Sequence, residues 1–271
     1  MVRVLDIEPM ANAVKKTVRK TLGKIIKALP KGQAIIDTCR HYRNCRRDHR
    51  RLSRIGTPKQ IFLHHYEVNE WRDQESVSGP GSTLQYTENI RKEIPRLVHD
   101  LGVKVILDAP CGDYNWFRKI SWESGIDYLG GDIVEPLIQR NQAAFSSPNT
   151  RFIPLDIVRD VLPKADLWLC RDCLIHLSNH DALLVVDNFL RSDIRYLLTS
   201  THPDLEENRD APTGSCRFVN LLLPPFNFSK PLRSMDDWIE GFHRRHLALW
   251  EREALKSALR ANAPKRTGKS K

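Results

Sequence analysis

Short apolar runs recur between residues 105 and 201, separated by longer mixed stretches. Val105-Ile-Leu-Asp108, Tyr128-Leu-Gly-Gly-Asp132, Phe152-Ile-Pro-Leu-Asp156 and Ala165-Asp-Leu-Trp-Leu-Cys-Arg171-Asp172 each read as a strand with a carboxylate near its C-terminal end. Asp108, Asp132 and Asp156 stand 24 residues apart. That interval accommodates a strand, a crossover helix and a return strand, as parallel neighbours require because a hairpin cannot join them. Arg195-Tyr-Leu-Leu-Thr-Ser-Thr201 and His246-Leu-Ala-Leu-Trp250 read as two more strands, rich in β-branched and aromatic residues. Helical intervals separate Ile90, Ile94, Leu97 and Val98 within residues 84–101, and helices are also predicted near residues 61–66 and 181–190. The fold class predicted is therefore α/β, a Rossmann-like, doubly wound and mostly parallel sheet.

The pattern changes at both ends of this region. Over residues 11–29, Val14, Val18, Leu22, Ile25, Ile26 and Leu29 keep helical spacing while Lys15, Lys16, Arg19, Lys20, Lys24 and Lys27 fill the other faces, and Pro30 ends the helix. A second basic block runs from Arg40 to Arg54 with few apolar residues to bury. Residues 1–57 are thus predicted to be a basic helical extension, 58–255 the main domain and 256–271 a basic tail. Within the main domain, residues 202–233 break the β–α alternation with several prolines, and the triplet Leu221–Leu223 and Phe226-Asn-Phe228 read as exposed parts of a lid-like insertion.

Composition narrows the class. A chain of 271 residues that is 41% hydrophobic has material for a full core, which excludes disorder of the whole chain. The six cysteines form no small-domain disulfide pattern, and no apolar run approaches the length needed to cross a bilayer, so a cytoplasmic protein is expected. The formal net charge of +10 sits mainly in the first 55 residues and the last few. Those first 55 residues are a candidate for peripheral contact with an acidic membrane face, with a nucleic acid as the weaker alternative.

The candidate chemistry lies at the strand ends, where open α/β sheets bind ligands. Asp108 and the turn through Cys111 and Gly112 are placed for a cofactor to lie against them. Asp132 ends the second strand, a location from which a carboxylate reaches vicinal ribose hydroxyls. Asp156 and Ile157 are placed to clasp an adenine, the acid at its exocyclic amine and the isoleucine at its face. The loop Ser76-Val-Ser-Gly-Pro-Gly-Ser-Thr83 precedes the first strand and offers backbone amides.

Leu107-Asp-Ala-Pro-Cys-Gly-Asp113, the downstream Gly-Asp-Ile and Leu-Asp-Ile tripeptides and Cys170-Arg-Asp-Cys-Leu-Ile-His176 resemble a class I S-adenosylmethionine-dependent methyltransferase. The closest likeness is to a bacterial subgroup with Ser-Gly-Pro-Gly-Ser before the core and Pro-Pro-Phe-Asn-Phe after it, over residues 60–255. The resemblance implies a seven-stranded sheet and S-adenosyl-L-methionine as cofactor, met by Asp108, Ala109, Gly112 and Asp113 at its methionine part, Asp132 and Ile133 at the ribose, and Asp156 and Ile157 at the adenine. Pro110 and Tyr114 stand where that family usually has glycines, and Asp113 where it has a small residue, so a contact of Asp113 with the cofactor's α-amino group is expected.

Transfer of a methyl group to a hydroxyl needs a base, and His176 just past the fourth strand is the candidate, with Asp172 beside it. Arg171 is expected to bind cofactor or substrate, and His202 after the fifth strand to contact substrate. Cys170, Cys173 and His176 share a zinc-like spacing, but Cys170 belongs to an apolar strand and no fourth ligand is nearby, so no metal is expected. The expected activity is methylation of a small-molecule or saccharide hydroxyl. The alternatives are a nucleic-acid methyltransferase, against which stands the missing Asn/Asp-Pro-Pro-aromatic run, a cofactor-binding module without catalysis, and a nicotinamide oxidoreductase, against which stands the absence of Gly-x-Gly-x-x-Gly after the first strand.

Overall fold

The computed structural model describes residues 32–122 and 125–262. The chain divides into two compact units, residues 1–51 and 52–271. Of the first, the described part lies in helix α1 (Gly32–Ile55), so the basic block from Arg40 onward is helical. The helix predicted over residues 11–29 lies outside the described residues.

In the second unit, α2 (Pro58–Glu67) starts where the composition changes. Thr57 and Gln60 form a reciprocal capping box, and Pro58 occupies the first turn, where its missing N–H costs nothing. The remaining order is α3 (Glu88–Leu101), β1 (Val105–Asp108), β2 (Asp127–Asp132), α4 (Glu135–Phe145), β3 (Thr150–Pro154), β4 (Leu167–Cys170), α5 (Asn179–Arg191), β5 (Tyr196–Thr201), β6 (Arg233–Asp236), β7 (His246–Glu251) and α6 (Arg252–Asn262). Ser178 sets the start of α5 by accepting a hydrogen bond from the Asp181 amide at 3.1 Å.

All seven strands join one sheet in the order β3-β2-β1-β4-β5-β7-β6. β1 to β5 run parallel, and β7 is antiparallel to both β5 and β6. From β1 the chain winds outward through β2 and β3, then returns to the other side of β1 for β4 and β5. The carboxyl ends of β1 and β4 flank the point of reversal, where a crevice must open because the flanking connections diverge.

Alternation along the strands divides the core into two layers. Leu107, Trp168, Leu197, Ala248 and Trp250 face one layer, which α5 and α6 help to cover. Ile106, Tyr128, Leu167, Leu169, Leu198 and Leu249 face the other, closed by α3 and α4. The buried Trp168 indole donates to the Ala109 carbonyl at 2.8 Å, so a core residue also pins the first residue after β1.

Four expectations are corrected. β3 ends at Pro154, because Asp156 turns its carboxylate back on the Val158 amide at 3.0 Å. The stretch 202–233 is not an exposed flap: Val219, Leu221, Phe226 and Phe228 are buried in the first core layer, while Leu222 is exposed. That stretch gives way at Arg233 to β6, an edge strand whose Arg-Ser-Met-Asp sequence has no apolar alternation to reveal it. Finally, the stretch from residue 256 is not all tail, since α6 continues to Asn262 with Leu255 buried and Leu259 packed against the core. Residues 263–271 lie outside the described residues, and among the described ones no helix is long and apolar enough to cross a membrane.

Trp168→Phe should lower stability by about 2 kcal/mol, through lost packing volume and an orphaned Ala109 carbonyl. Urea unfolding tests this, and a loss under about 0.5 kcal/mol would mean that the indole does not hold the turn.

Candidate active site

A cavity of about 750 Å³ opens at the carboxyl ends of the central strands. Asp108, Gly112, Asp132, Ile133, Asp156, Ile157, Arg171, Asp172, His176 and His202 all line it. Two residues expected to touch a ligand there do not line it. Ala109 is fully buried beneath the wall, its N–H donating to Leu169 and its carbonyl accepting from Trp168. The carboxylate of Asp113 accepts from Ser76 Oγ and the Val77 amide at 3.0 Å, and from Ser78 Oγ and the Asn115 amide at 3.3 Å. Its negative charge is spent on holding the loop of residues 76–82 over the crevice, not on an amino group inside it.

The turn after β1 needs Gly112. Its φ is +55°, and a Cβ there would fall 2.1 Å from Ser78 Oγ, which itself accepts the Asp113 amide at 3.1 Å. Tyr114, where the resemblance expects a glycine, also has a positive φ of 58°, and its ring packs against Tyr128, Phe152 and Phe145. An aromatic plug therefore backs the turn in place of open backbone.

The acids at the strand tips lie in different environments. Asp108 is buried and accepts the Tyr128 hydroxyl at 2.8 Å. Burial raises its pKa to about 7, with the Tyr128 hydrogen bond and Arg171 opposing. Burial likewise raises Asp132 to about 6, although its two oxygens accept the Val134 amide at 3.0 Å and the Gly112 amide at 3.1 Å. The Ile133 amide is a further backbone donor to this carboxylate. Asp156 lies at a less buried point of the same wall, with one oxygen on Val158.

At the β4 end lies a network of four charges, three of them buried and the fourth, Asp172, partly open to the cavity. Arg171 donates from Nε and Nη2 to the two oxygens of Asp237, each at 2.9 Å, and from Nη2 to the Gly81 carbonyl at 2.6 Å. Arg245 donates from Nη1 to Asp172 and from Nε to the Asp237 carbonyl at 3.0 Å. Burial works against the charge on Arg245, but Asp172 and Asp237 outweigh it and raise its pKa. Burial also pushes Asp172 up, yet Arg245 and then Arg171 hold it below the usual carboxylate range. The guanidiniums sit against aromatic faces, Arg171 over Trp116 at 5.3 Å and Arg245 over Tyr86 at 4.7 Å. Arg171 therefore ties the 76–82 loop to Asp237, which follows β6.

Asp172 does not orient His176. The His176 Nδ1–H donates to the Ser215 carbonyl at 2.9 Å, which leaves Nε2 with a lone pair, and the ring lies 4.4 Å from that of Trp71. Burial lowers the His176 pKa. His202 packs on Phe218, with Nδ1 3.3 Å from the Val219 carbonyl, and burial drops its pKa to about 4. Both imidazoles are neutral near pH 7. Cys170 and Cys173 are buried, and among the described residues no group of three His, Cys, Asp or Glu side chains is arranged to hold a metal ion.

Sequence reasoning missed Arg245, Asp237, Tyr86 and Trp71. Asp237 directly follows β6 and Arg245 directly precedes β7, so the antiparallel pairing of those strands brings them together. The only local signal was a charged residue at each end of that connection.

No protein-family profile matches the chain, and no curated protein matches it. Solved structures share its architecture at low identity. The magnesium protoporphyrin IX methyltransferase ChlM of Synechocystis PCC 6803, solved with SAH, is 16% identical over 69% of this chain and 93% of that one, with a TM-score of 0.47. The 1,6-didemethyltoxoflavin-N1-methyltransferase of Burkholderia thailandensis is 17% identical over 71% and 86%, with a TM-score of 0.48. The N-methyltransferase NodS of Bradyrhizobium japonicum WM9 is 14% identical over 61% and 98%, with a TM-score of 0.44. The likeness is one of fold.

Asp108 supplies a pH test. Its pKa is higher folded than unfolded, so its contribution is full below pH 3.8 and is lost as pH rises through about 7. Asp108→Asn should therefore gain on the unaltered chain by about 2 kcal/mol between pH 5 and pH 8 in ligand-free urea unfolding. A difference that stays constant with pH would show that Asp108 titrates normally.

Proposed function

We propose that the chain is an S-adenosyl-L-methionine-dependent methyltransferase acting on the hydroxyl of a small-molecule or saccharide acceptor. The observation that carries this reading is that the tips of β1 and β2, the turn after β3 and the 3-10 turn after β4 present Asp108, Asp132, Asp156 and His176 to one cavity at the reversal point of the sheet.

The residues present fit the cofactor. Asp132 is fixed by backbone amides and lines the cavity where its carboxylate would accept from the ribose hydroxyls. Ile133 and Ile157 give apolar surface for an adenine, and Asp156, whose second oxygen lies 3.9 Å from the exposed Arg159 Nε, is the carboxylate nearest to hand for its amine. At Gly112 the wall is bare backbone, and Asp108 next to it meets the amino-acid end in place of Asp113. Arg171 positions the roof of the site by holding Gly81. When bound, S-adenosyl-L-methionine supplies a methyl group made electrophilic by the sulfonium.

The rest is acid–base work by the chain. His176 is held in one tautomer by the Ser215 carbonyl, and its neutral Nε2 takes the proton of the acceptor hydroxyl. The Trp71 ring packs on the imidazole with centroids 4.4 Å apart. Its lowered pKa keeps it in the base form to lower pH than an ordinary histidine.

Calorimetry should find binding of S-adenosyl-L-methionine and none of NAD. Asp132→Ala should weaken that binding at least ~10-fold, since it removes a charged hydrogen-bond partner; tight NAD binding, or an indifferent Asp132→Ala, would overturn the assignment. Once an acceptor is in hand, His176→Asn should lower kcat by ~10²–10⁴ with cofactor affinity retained. The acid limb of the unaltered enzyme should fall below the ordinary histidine pKa of 6.5. An unchanged kcat in His176→Asn would exclude it as the base.

A further inference from the structure

Helix α1 carries a charge pattern for which the cavity has no use. Between His41 and Ile55 stand six arginines, Arg43, Arg46, Arg47, Arg50, Arg51 and Arg54, against a single carboxylate, Asp48. All six are exposed. At about 100° of rotation per residue they fall within an arc of about 140° around the helix axis. The less exposed residues of the stretch, His41, Cys45, Asp48, Leu52 and Ile55, lie on the other side. The arginines thus repeat at three- and four-residue spacing along one face, where like charges destabilise a helix and a polyanion laid against them relieves the repulsion.

Three features distinguish among polyanions. From Arg43 to Arg54 the exposed residues other than arginine are Asn44, His49 and Ser53, so no apolar side chain is offered beside the charge. A helix lying in a bilayer surface needs an apolar face that sinks to the acyl boundary. Secondly, every basic residue of α1 other than histidine is an arginine, with no lysine among them. The planar guanidinium fork matches a pair of phosphate oxygens, whereas an ammonium serves a diffuse anionic surface as well. Thirdly, an arc of about 140° is too broad for a plane to meet at once, but a groove with phosphates along both walls meets it. The B-form major groove is about 12 Å wide and admits a helix, while the A-form major groove of duplex RNA is too narrow.

We propose that the arginine face of α1 binds double-stranded DNA, lying in the major groove with its guanidiniums on the phosphates of the two strands. The contacts are to the backbone, which makes the binding largely neutral to sequence. The order expected from the sequence, membrane before nucleic acid, is reversed by the composition of the exposed face. This binding is independent of what the cavity methylates.

The test is fluorescence anisotropy of the full chain with a labelled DNA duplex of about 20 base pairs, between about 50 and 200 mM KCl. Six phosphate contacts at about −0.9 each predict that log K falls with log salt at a slope of −4 or steeper. The triple variant Arg43→Gln, Arg47→Gln, Arg50→Gln should flatten that slope by about 2 to 3 and weaken binding at least ~10-fold at the lowest salt. Removing as much charge from exposed positions of the main domain, with Lys104→Gln, Lys119→Gln and Arg140→Gln, should change the slope by less than about 1. At equal phosphate concentration, unlabelled duplex RNA and phosphatidylserine–phosphatidylcholine vesicles should displace the labelled duplex less well than unlabelled duplex DNA. If the arginine variant loses its helix by circular dichroism, the slope of the unaltered chain and the competition decide. A slope shallower than −4, an equal loss in both triple variants, or displacement by RNA or vesicles as good as by DNA overturns the proposal.

Discussion

β1 is hydrogen-bonded on both edges by parallel partners, β2 on one side and β4 on the other, and Ile106 and Leu107 are fully buried on its two faces. A parallel neighbour can be reached only by a crossover, so the chain must leave the sheet after β1, return on one side, and later return on the other. The connections at the carboxyl edge consequently part above β1 and β4, and the crevice between them follows from topology before any side chain is chosen. Asp108 and Asp132 enter that crevice because each closes a strand whose other positions are mostly committed to the core, and Asp156 enters it from the turn after β3.

The roof over the crevice depends on charge buried from water. Asp113 holds the 76–82 loop by accepting from two of its serine hydroxyls and one of its amides, and Arg171 reaches that loop's Gly81 carbonyl while bound to Asp237. Such groups tolerate burial because nearly every lone pair and proton is matched, and removal of one partner would strand the others. Arg245 Nη2 is the unmatched position in this set.

Much of the fold was legible in the sequence because buried parallel strands must be apolar on both faces and their crossovers need a near-constant length of chain. Val105–Asp108, Tyr128–Asp132, Leu167–Cys170 and Tyr196–Thr201 follow from that constraint. β6 did not, because an edge strand with solvent on one side needs no apolar run, and its pairing is supplied by β7. The burial of Leu221, Phe226 and Phe228 was hidden for a related reason: an irregular segment has no period, so which of its apolar residues point inward depends on the surface they meet.

The candidate site divides along the same line. A carboxylate ending an apolar strand is a local pattern, so Asp108, Asp132, Asp156 and the His176 segment could be picked out one by one from the residues around them. Which partners those groups have is a matter of long-range packing. Asp113 faces Ser76 and Ser78, Asp172 faces Arg245 73 residues later, and His176 turns to Ser215 instead of Asp172. The amino-acid sequence by itself determined most of the strands, their crossover connections and the acids at or just past their ends, because backbone periodicity and crossover length act over a few dozen residues. Only the tertiary structure decided which charges neutralise one another and which stay open to a ligand, because electrostatic pairing acts through space between segments that the chain keeps far apart.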